Sequence, residues 1–240
     1  MNIIKSLLKI EPRKSLPVHV VVIPDGNRRW AKERGLKGIE GHRKSAQYEN
    51  ILRLLEEAER LGVKYLSFWA FSTENWRRDK AEVNFLFKLL DKILDNFLYE
   101  LVKRKVRFRH LGRKDRLPKQ LVSKLAALEK KTENFNKLNV QLCLDYGGRD
   151  EIVRAINKMI NEGVKKVDEK SIKRYLDTYD IPDPDLVIRT SGEHRTSGFM
   201  AFQSVYAELY FTNIKFPDFG PEDLRSAIEE FSRRKRNFGK

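Results

Sequence analysis

His19-Val20-Val21-Val22-Ile23-Pro24-Asp25-Gly26-Asn27-Arg28-Arg29-Trp30-Ala31-Lys32 is the stretch whose reading decides the fold. An apolar run over residues 18–23 stops abruptly at Asp25-Gly26-Asn27 and passes into two arginines. A short apolar run rich in β-branched residues and closed by a turn dipeptide reads as a strand buried on both faces, then a tight turn and a helix start. The turn offers one carboxylate, free backbone N–H groups and two guanidinium groups. A carboxylate beside phosphate-binding donors suits a phosphate ester held with a divalent cation. The stretch therefore points to a pyrophosphate ligand.

Outward from this stretch, strand-like runs alternate with helical segments. The runs cover residues 18–23, 63–71, 106–111, 138–144, 186–188 and 208–211. Helical spacing over 42–61 places Ile51, Leu54, Leu55, Ala58 and Leu61 on one face, with Gly62 as the stop. The segment 82–103 is apolar over more than one stripe, as expected of a helix buried on two sides or lining an apolar cavity. Further helices are expected over 118–134, 150–161, 168–179 and 221–236, with Pro118 and Pro221 suited to first turns. This alternation predicts an α/β fold: a six-stranded, mainly parallel sheet surrounded by helices. Residues 1–240 read as a single domain, with residues 1–16 as an N-terminal amphipathic segment that suits a lipid surface, a partner or a frayed end equally. In such sheets ligands sit beyond the carboxyl ends of the strands. The loops at 25–27, 72–75, 146–149 and 189–193 each follow a strand, so they should converge on one rim.

A formal charge of +15 fits either a solvated basic surface or an anionic partner: nucleic acid, phosphorylated substrate or an acidic membrane face. The one cysteine, Cys143, lies in an apolar run and implies a reducing compartment, hence a cytoplasmic place. No window approaches the ~20 apolar residues of a membrane span. Walker, dinucleotide-fingerprint, nucleophile-elbow and paired-cysteine patterns are absent, as is an Asp-Asp-x-x-Asp metal clamp.

Four clusters carry the chemistry. Asp25 as a bare Asp-Gly would be a turn former, but Asn27-Arg28-Arg29 after it makes an anion site the better reading. His42, behind Gly41 at a helix start, is placed to donate a proton or hydrogen bond to such an anion. Ser72-Thr73-Glu74-Asn75-Trp76-Arg77-Arg78 contains a helix cap, yet capping does not call for Asn-Trp-Arg-Arg, so a substrate-facing loop is credible. Arg189 and Arg195, with Thr190, Ser191, Gly192, Glu193, His194 and Ser197 around them, suit a phosphate or pyrophosphate. Glu208 stands in an apolar stretch, Tyr206-Ala-Glu-Leu-Tyr-Phe211, where a carboxylate needs a cation or an arginine.

Together these clusters resemble the cis-prenyltransferases, the undecaprenyl diphosphate synthase family. The matching motifs are Asp-Gly-Asn-Arg-Arg-Trp-Ala-Lys (25–32), Gly-His (41–42), Ala-Phe-Ser-Thr-Glu-Asn-Trp (70–76), Tyr-Gly-Gly-Arg (146–149), Asp-Leu-Val-Ile-Arg-Thr-Ser-Gly-Glu (185–193), Tyr-Ala-Glu-Leu-Tyr-Phe (206–211) and Phe-Pro-Asp-Phe (216–219). The resemblance implies condensation of isopentenyl diphosphate onto an allylic diphosphate (C10–C20), with Mg2+, by a homodimer with an apolar tunnel. It gives Asp25 to Mg2+ at the allylic diphosphate and Gly26, Asn27, Arg28 and Arg29 to the diphosphate itself, with Trp30, His42, Trp76 and Arg78 nearby. Arg189, Arg195 and Ser197 would hold the isopentenyl diphosphate, Glu208 and His194 its metal. Ser72 and Asn75 would orient the isopentenyl group. The chain departs from the pattern at Gly38, where an arginine is usual, and at Pro24, Asp145, Thr196, Gly198, Ala201 and Phe202. A non-catalytic partner subunit would have lost Asp25. A nucleic-acid binder would lack carboxylates among its arginines.

Overall fold

The computed structural model describes residues 16–236. The N-terminal amphipathic segment lies almost wholly outside these. Strand β1 (His19–Ile23) is buried along its whole length, as its unbroken Val/Ile run requires. It is followed by α1 (Asn27–Glu33), α2 (Gly38–Ser45), α3 (Tyr48–Arg60), β2 (Tyr65–Ser72), a 3-10 turn (Thr73–Arg77) and α4 (Lys80–Arg104). Then come β3 (Val106–Leu111), α5 (Lys119–Thr132), β4 (Leu138–Tyr146), α6 (Gly148–Asn161), α7 (Glu169–Lys173), β5 (Leu186–Arg189), β6 (Glu208–Phe211) and α8 (Pro221–Arg233).

The sheet has six strands in the order β3-β4-β2-β1-β5-β6, and every pairing is parallel. The chain builds outward from β1 on one side through β2, then returns to its other side with β5. That reversal is the topological switch, where an open parallel sheet leaves a crevice. Ile23 of β1 is in register with Arg189 of β5, so Asp25 and Arg189 leave the sheet at the same level.

Two helices replace the single one expected over 42–61: the chain breaks at Ala46 and Gln47, and Gln47 takes an extended backbone. A Cβ on Gly41 would stand 1.8 Å from the Asn27 carbonyl oxygen, so glycine alone lets α2 lie on α1. The helix expected to 179 is only α7, after which the chain runs in turns.

One face of the sheet packs Val20, Val22, Leu66 and Phe68 under α3, α4, α5 and α8. The other packs Val21, Ile23 and Tyr146 under Phe199 and Met200. Between the sheet and α3–α4 is an apolar cavity whose walls include Leu55, Phe68, Ala70, Leu90, Ile93 and Phe97. Its presence explains the breadth of apolar surface on α4. At Ala70 the β2–β4 register slips, and the irregularity lies beside this cavity.

His19 is fully buried, bonding Pro182 O at 2.7 Å and Ser67 Oγ at 2.8 Å. Burial lowers its pKa from 6.5 to about 4, against the opposing pull of the Pro182 carbonyl and nearby aspartates. The unfolded chain therefore binds a proton at this residue below pH 6.5 that the folded chain refuses. Stability present above pH 6.5 is lost as the pH falls toward 4, by up to about 3 kcal/mol from this residue. Thermal melts at successive pH values should show this slope, and His19→Gln should flatten it.

Candidate active site

Asp25, Gly26, Asn27, Arg28, Arg29, His42, Arg78, Glu193 and Arg195 converge on one concave polar pocket at the carboxyl end of the sheet. Its foundation is the turn after β1. Gly26 has φ +95°, and a Cβ there would lie 2.4 Å from Ser191 Oγ, so the turn needs glycine on both counts. Thr190 Oγ1 accepts from the Asp25 N–H and donates to the Asp25 carbonyl, both at 2.8 Å. The Phe216 N–H donates to the same carbonyl at 3.0 Å. The Asp25 backbone is thus fixed without help from its carboxylate.

That carboxylate accepts from Arg189 Nη2 at 2.9 Å and from the Gly26 N–H at 2.6 Å, with Arg29 Nη2 at 3.6 Å. Burial pushes its pKa up, but the Arg189 bond, the Gly26 N–H and the charges of Arg189 and Arg29 outweigh this and hold it below the usual carboxylate value. Arg189 is buried and also donates to the Arg195 carbonyl (2.6 Å) and Ser197 Oγ (2.7 Å). Its Nε, with Ser191 Oγ and His42 Nε2, is a buried polar atom without a hydrogen-bond partner, as in a site shaped for a polar ligand.

His42 is buried, with Nδ1 3.4 Å from Asn27 Nδ2 and Nε2 3.5 Å from Glu82 Oε1. Burial, then the charge of Arg78, lowers its pKa to about 4. At neutral pH it is an uncharged hydrogen-bonding group. Glu82 also meets Arg78 (3.1 Å) and Arg28 (3.7 Å). Glu82 is a site residue outside the four clusters that the sequence singles out. Glu193 ties Arg29 (3.0 Å) and Arg195 to the rim. A sequence signal existed for Glu82, which stands four residues after Arg78, a spacing at which an acid and an arginine pair.

Several expected site residues lie elsewhere. Trp30 turns away from the pocket: adjacent helix positions face different ways, and its indole donates to Asp218 Oδ1 at 2.7 Å. The metal trio Asp25, Glu208 and His194 is not assembled. Glu208 starts β6 level with Leu186, three residues below Arg189 and so about 10 Å from the rim. There it pairs with Arg234 at 2.9 Å, the arginine partner that its apolar surroundings demanded. His194 stacks on Phe211 at 5.0 Å, at the opposite end of that strand. Ser72, Asn75, Trp76 and Ser197 border neither cavity. Ser72 and Asn75 close a capping box after β2, the Ser72 N–H donating to Asn75 Oδ1 at 3.1 Å.

The polar pocket and the apolar cavity share three wall residues, Pro24, Asn27 and His42. A charged ligand head in one therefore has an apolar volume directly beside it. Residues 23–239 match a family model described as putative undecaprenyl diphosphate synthase. The isoprenyl transferase of Aquifex aeolicus is 44% identical over 226 residues, which cover 94% of this chain and 96% of that protein. The isoprenyl transferase of Thermotoga maritima is 44% identical over 228 residues, 93% of this chain and 97% of that protein. Among solved structures, lavandulyl diphosphate synthase from Lavandula x intermedia in complex with dimethylallyl diphosphate superimposes with a TM-score of 0.89 at 36% identity, covering 94% of this chain and 99% of that one. A probable undecaprenyl diphosphate synthase from Campylobacter jejuni gives 0.78 at 34% identity, with the same coverage. The fold, the convergent rim and these likenesses agree: the chain belongs to the undecaprenyl diphosphate synthase family of prenyltransferases.

Proposed function

We propose that this protein condenses isopentenyl diphosphate onto an allylic diphosphate primer and releases a cis-polyprenyl diphosphate. The observation that carries the reading is the shared wall of Pro24, Asn27 and His42 between an arginine-ringed pocket and an apolar cavity. An allylic diphosphate has this shape: a polyanionic head and a hydrocarbon tail. Arg28, Arg29 and Arg78 offer paired donors to the head, and neutral His42 offers a hydrogen bond. Arg189, with Arg195 and Ser197, is the group for the second diphosphate. The capping box of Ser72 and Asn75 shapes the 72–78 loop, whose Arg78 lines the pocket, and through that loop orients the isopentenyl group, so that its alkene meets the allylic carbon at short range.

Mg2+ suits the donors. This ion is held through one or two carboxylates plus substrate phosphates, and Asp25 stands among phosphate-binding arginines. When bound, Mg2+ neutralises charge that builds on the departing diphosphate. The arginines do the same from the protein side. The pairs that Asp25 makes with Arg189 and Arg29 hold these groups in place before substrate arrives.

A homodimer fits the exposed Val205, Tyr206 and Leu209 around the edge strand β6. No helix among the described residues is long and apolar enough to cross a membrane. A cytoplasmic enzyme touching the membrane surface suits a lipid product.

Labelled isopentenyl diphosphate supplied with C10, C15 or C20 primers and Mg2+ tests the function. Chain elongation is expected, lost on chelation; no elongation with any primer, or salt-dependent DNA binding in its place, would refute it. Ala70 lines the cavity, so Ala70→Phe should shorten the product while leaving the first condensation intact, as sized by reversed-phase chromatography.

A further inference from the structure

We propose that Arg116 and Asp145 form a clamp that positions Trp76, and through it the 72–78 loop, for prenyl transfer. The inference rests on the reading that this loop faces the substrates. Asp145 is the next-to-last residue of β4, is fully buried, and adopts φ +52°, a left-handed conformation that Asp tolerates better than most residues. Its carboxylate accepts from Arg116 Nε at 2.8 Å and from Arg116 Nη2. The same Oδ1 that meets Nη2 accepts from Trp76 Nε1 at 2.9 Å. The Arg116 guanidinium also lies 5.5 Å from the centre of the Trp76 ring. One arginine thus meets the indole twice, through the carboxylate at its edge and by cation–π attraction at its face.

Trp76 carries this restraint into the site. Its ring packs edge-on against Phe71 at 5.5 Å and against Phe87 at 5.3 Å. Phe87 belongs to α4, whose Leu86, Leu89 and Leu90 line the apolar cavity. A second latch lies beside the first: a Cβ on Gly147 would fall 2.4 Å from Thr73 Oγ1, so the loop is pressed directly on the chain after β4. Arg116 and Asp145 border neither cavity and act by positioning. Among the described residues, Arg116 supplies the one positive charge in contact with a carboxylate that has no access to water. Without it, the buried charge is uncompensated and the Trp76 anchor moves. Asparagine at 145 would still accept from Trp76 but would have no charge to balance.

Three variants test the clamp: R116Q, D145N and R116Q/D145N. Folding is followed by circular dichroism, and Trp76 by fluorine NMR of fluorotryptophan-labelled protein, its signal assigned through Trp76→Phe. R116Q should lower kcat by about 10- to 100-fold, as expected of a misplaced reacting group, with little change in the KM for the allylic diphosphate. Its Trp76 resonance should shift or broaden. The double variant should regain most of the kcat and the parental resonance. An R116Q enzyme with parental kcat, a double variant no better than R116Q, or a loss confined to melting temperature would overturn the clamp. If R116Q fails to fold, R116K keeps the charge without the fork and should fall between; parental kcat there overturns it as well. Absence of prenyl transfer in the parent protein would instead sink the functional reading, and an unmoved Trp76 resonance in R116Q would still sink the clamp.

Discussion

Asp25→Ala removes prenyl transfer, lowering kcat by about a thousandfold or more, the scale of losing a charge-stabilising group in an active site. Two effects combine. The donor for the divalent ion is gone, and Arg189 and Arg29 lose the anion between them. The fold survives, because Thr190 Oγ1 and the Phe216 N–H hold the Asp25 backbone regardless of its side chain. The Arg189 guanidinium keeps the Arg195 carbonyl and Ser197 Oγ as acceptors, which limits the stability loss to about 1–2 kcal/mol. Asp25→Asn retains the shape and loses the charge, so it should be nearly as inactive. The checks are kcat as a function of Mg2+ concentration and the thermal melt. Full activity in Asp25→Ala would refute the role assigned to this carboxylate.

Arg189→Ala has the second largest expected effect, and unlike Asp25→Ala it strikes stability and catalysis together. The side chain is 7% exposed and holds three partners from two loops: Asp25, and the Arg195 carbonyl with Ser197. Alanine unties the 195–197 loop from β5 and leaves a half-buried carboxylate without its closest cation. The expected loss is about 3 kcal/mol in stability and at least a hundredfold in kcat/KM for isopentenyl diphosphate. Arg189→Lys keeps the charge but cannot span the acceptors, so it should recover stability in part and activity hardly at all. Equal recovery of both would mean that position 189 supplies only charge. Chemical denaturation and initial rates at varied isopentenyl diphosphate separate these outcomes.

The strands were legible because they are apolar runs bounded by turns. The 106–111 and 208–211 runs coincide with β3 and β6, and the others miss by two residues or fewer at each end. Helix ends were less legible. The break at Ala46–Gln47 has no proline or glycine beside it to announce it. The same limit governed the site. Asp25, Arg28, Arg29, His42 and Arg78 announced themselves by clustering charge at strand ends, and they do share one pocket. Trp30 lies between two of them in sequence, yet helical geometry sends it to Asp218. Glu208 carried the right chemical signal, a carboxylate in need of a cation, but nothing local could say that Arg234 would answer it.

By itself the sequence determined the α/β alternation, the parallel sheet and the residue types that meet a diphosphate, because strand burial and turn chemistry are properties of neighbours along the chain. Only the tertiary structure decided which of those residues face one another. Asp25 meets Arg189 across the switch between β1 and β5, Glu82 on α4 gathers Arg28, Arg78 and the neutral His42, and Glu208 is carried to the far end of its strand. Apart from Glu82 and Arg78, which are four residues apart, these pairings join residues 26 to 164 positions apart, and the fold rather than local spacing brings them within reach.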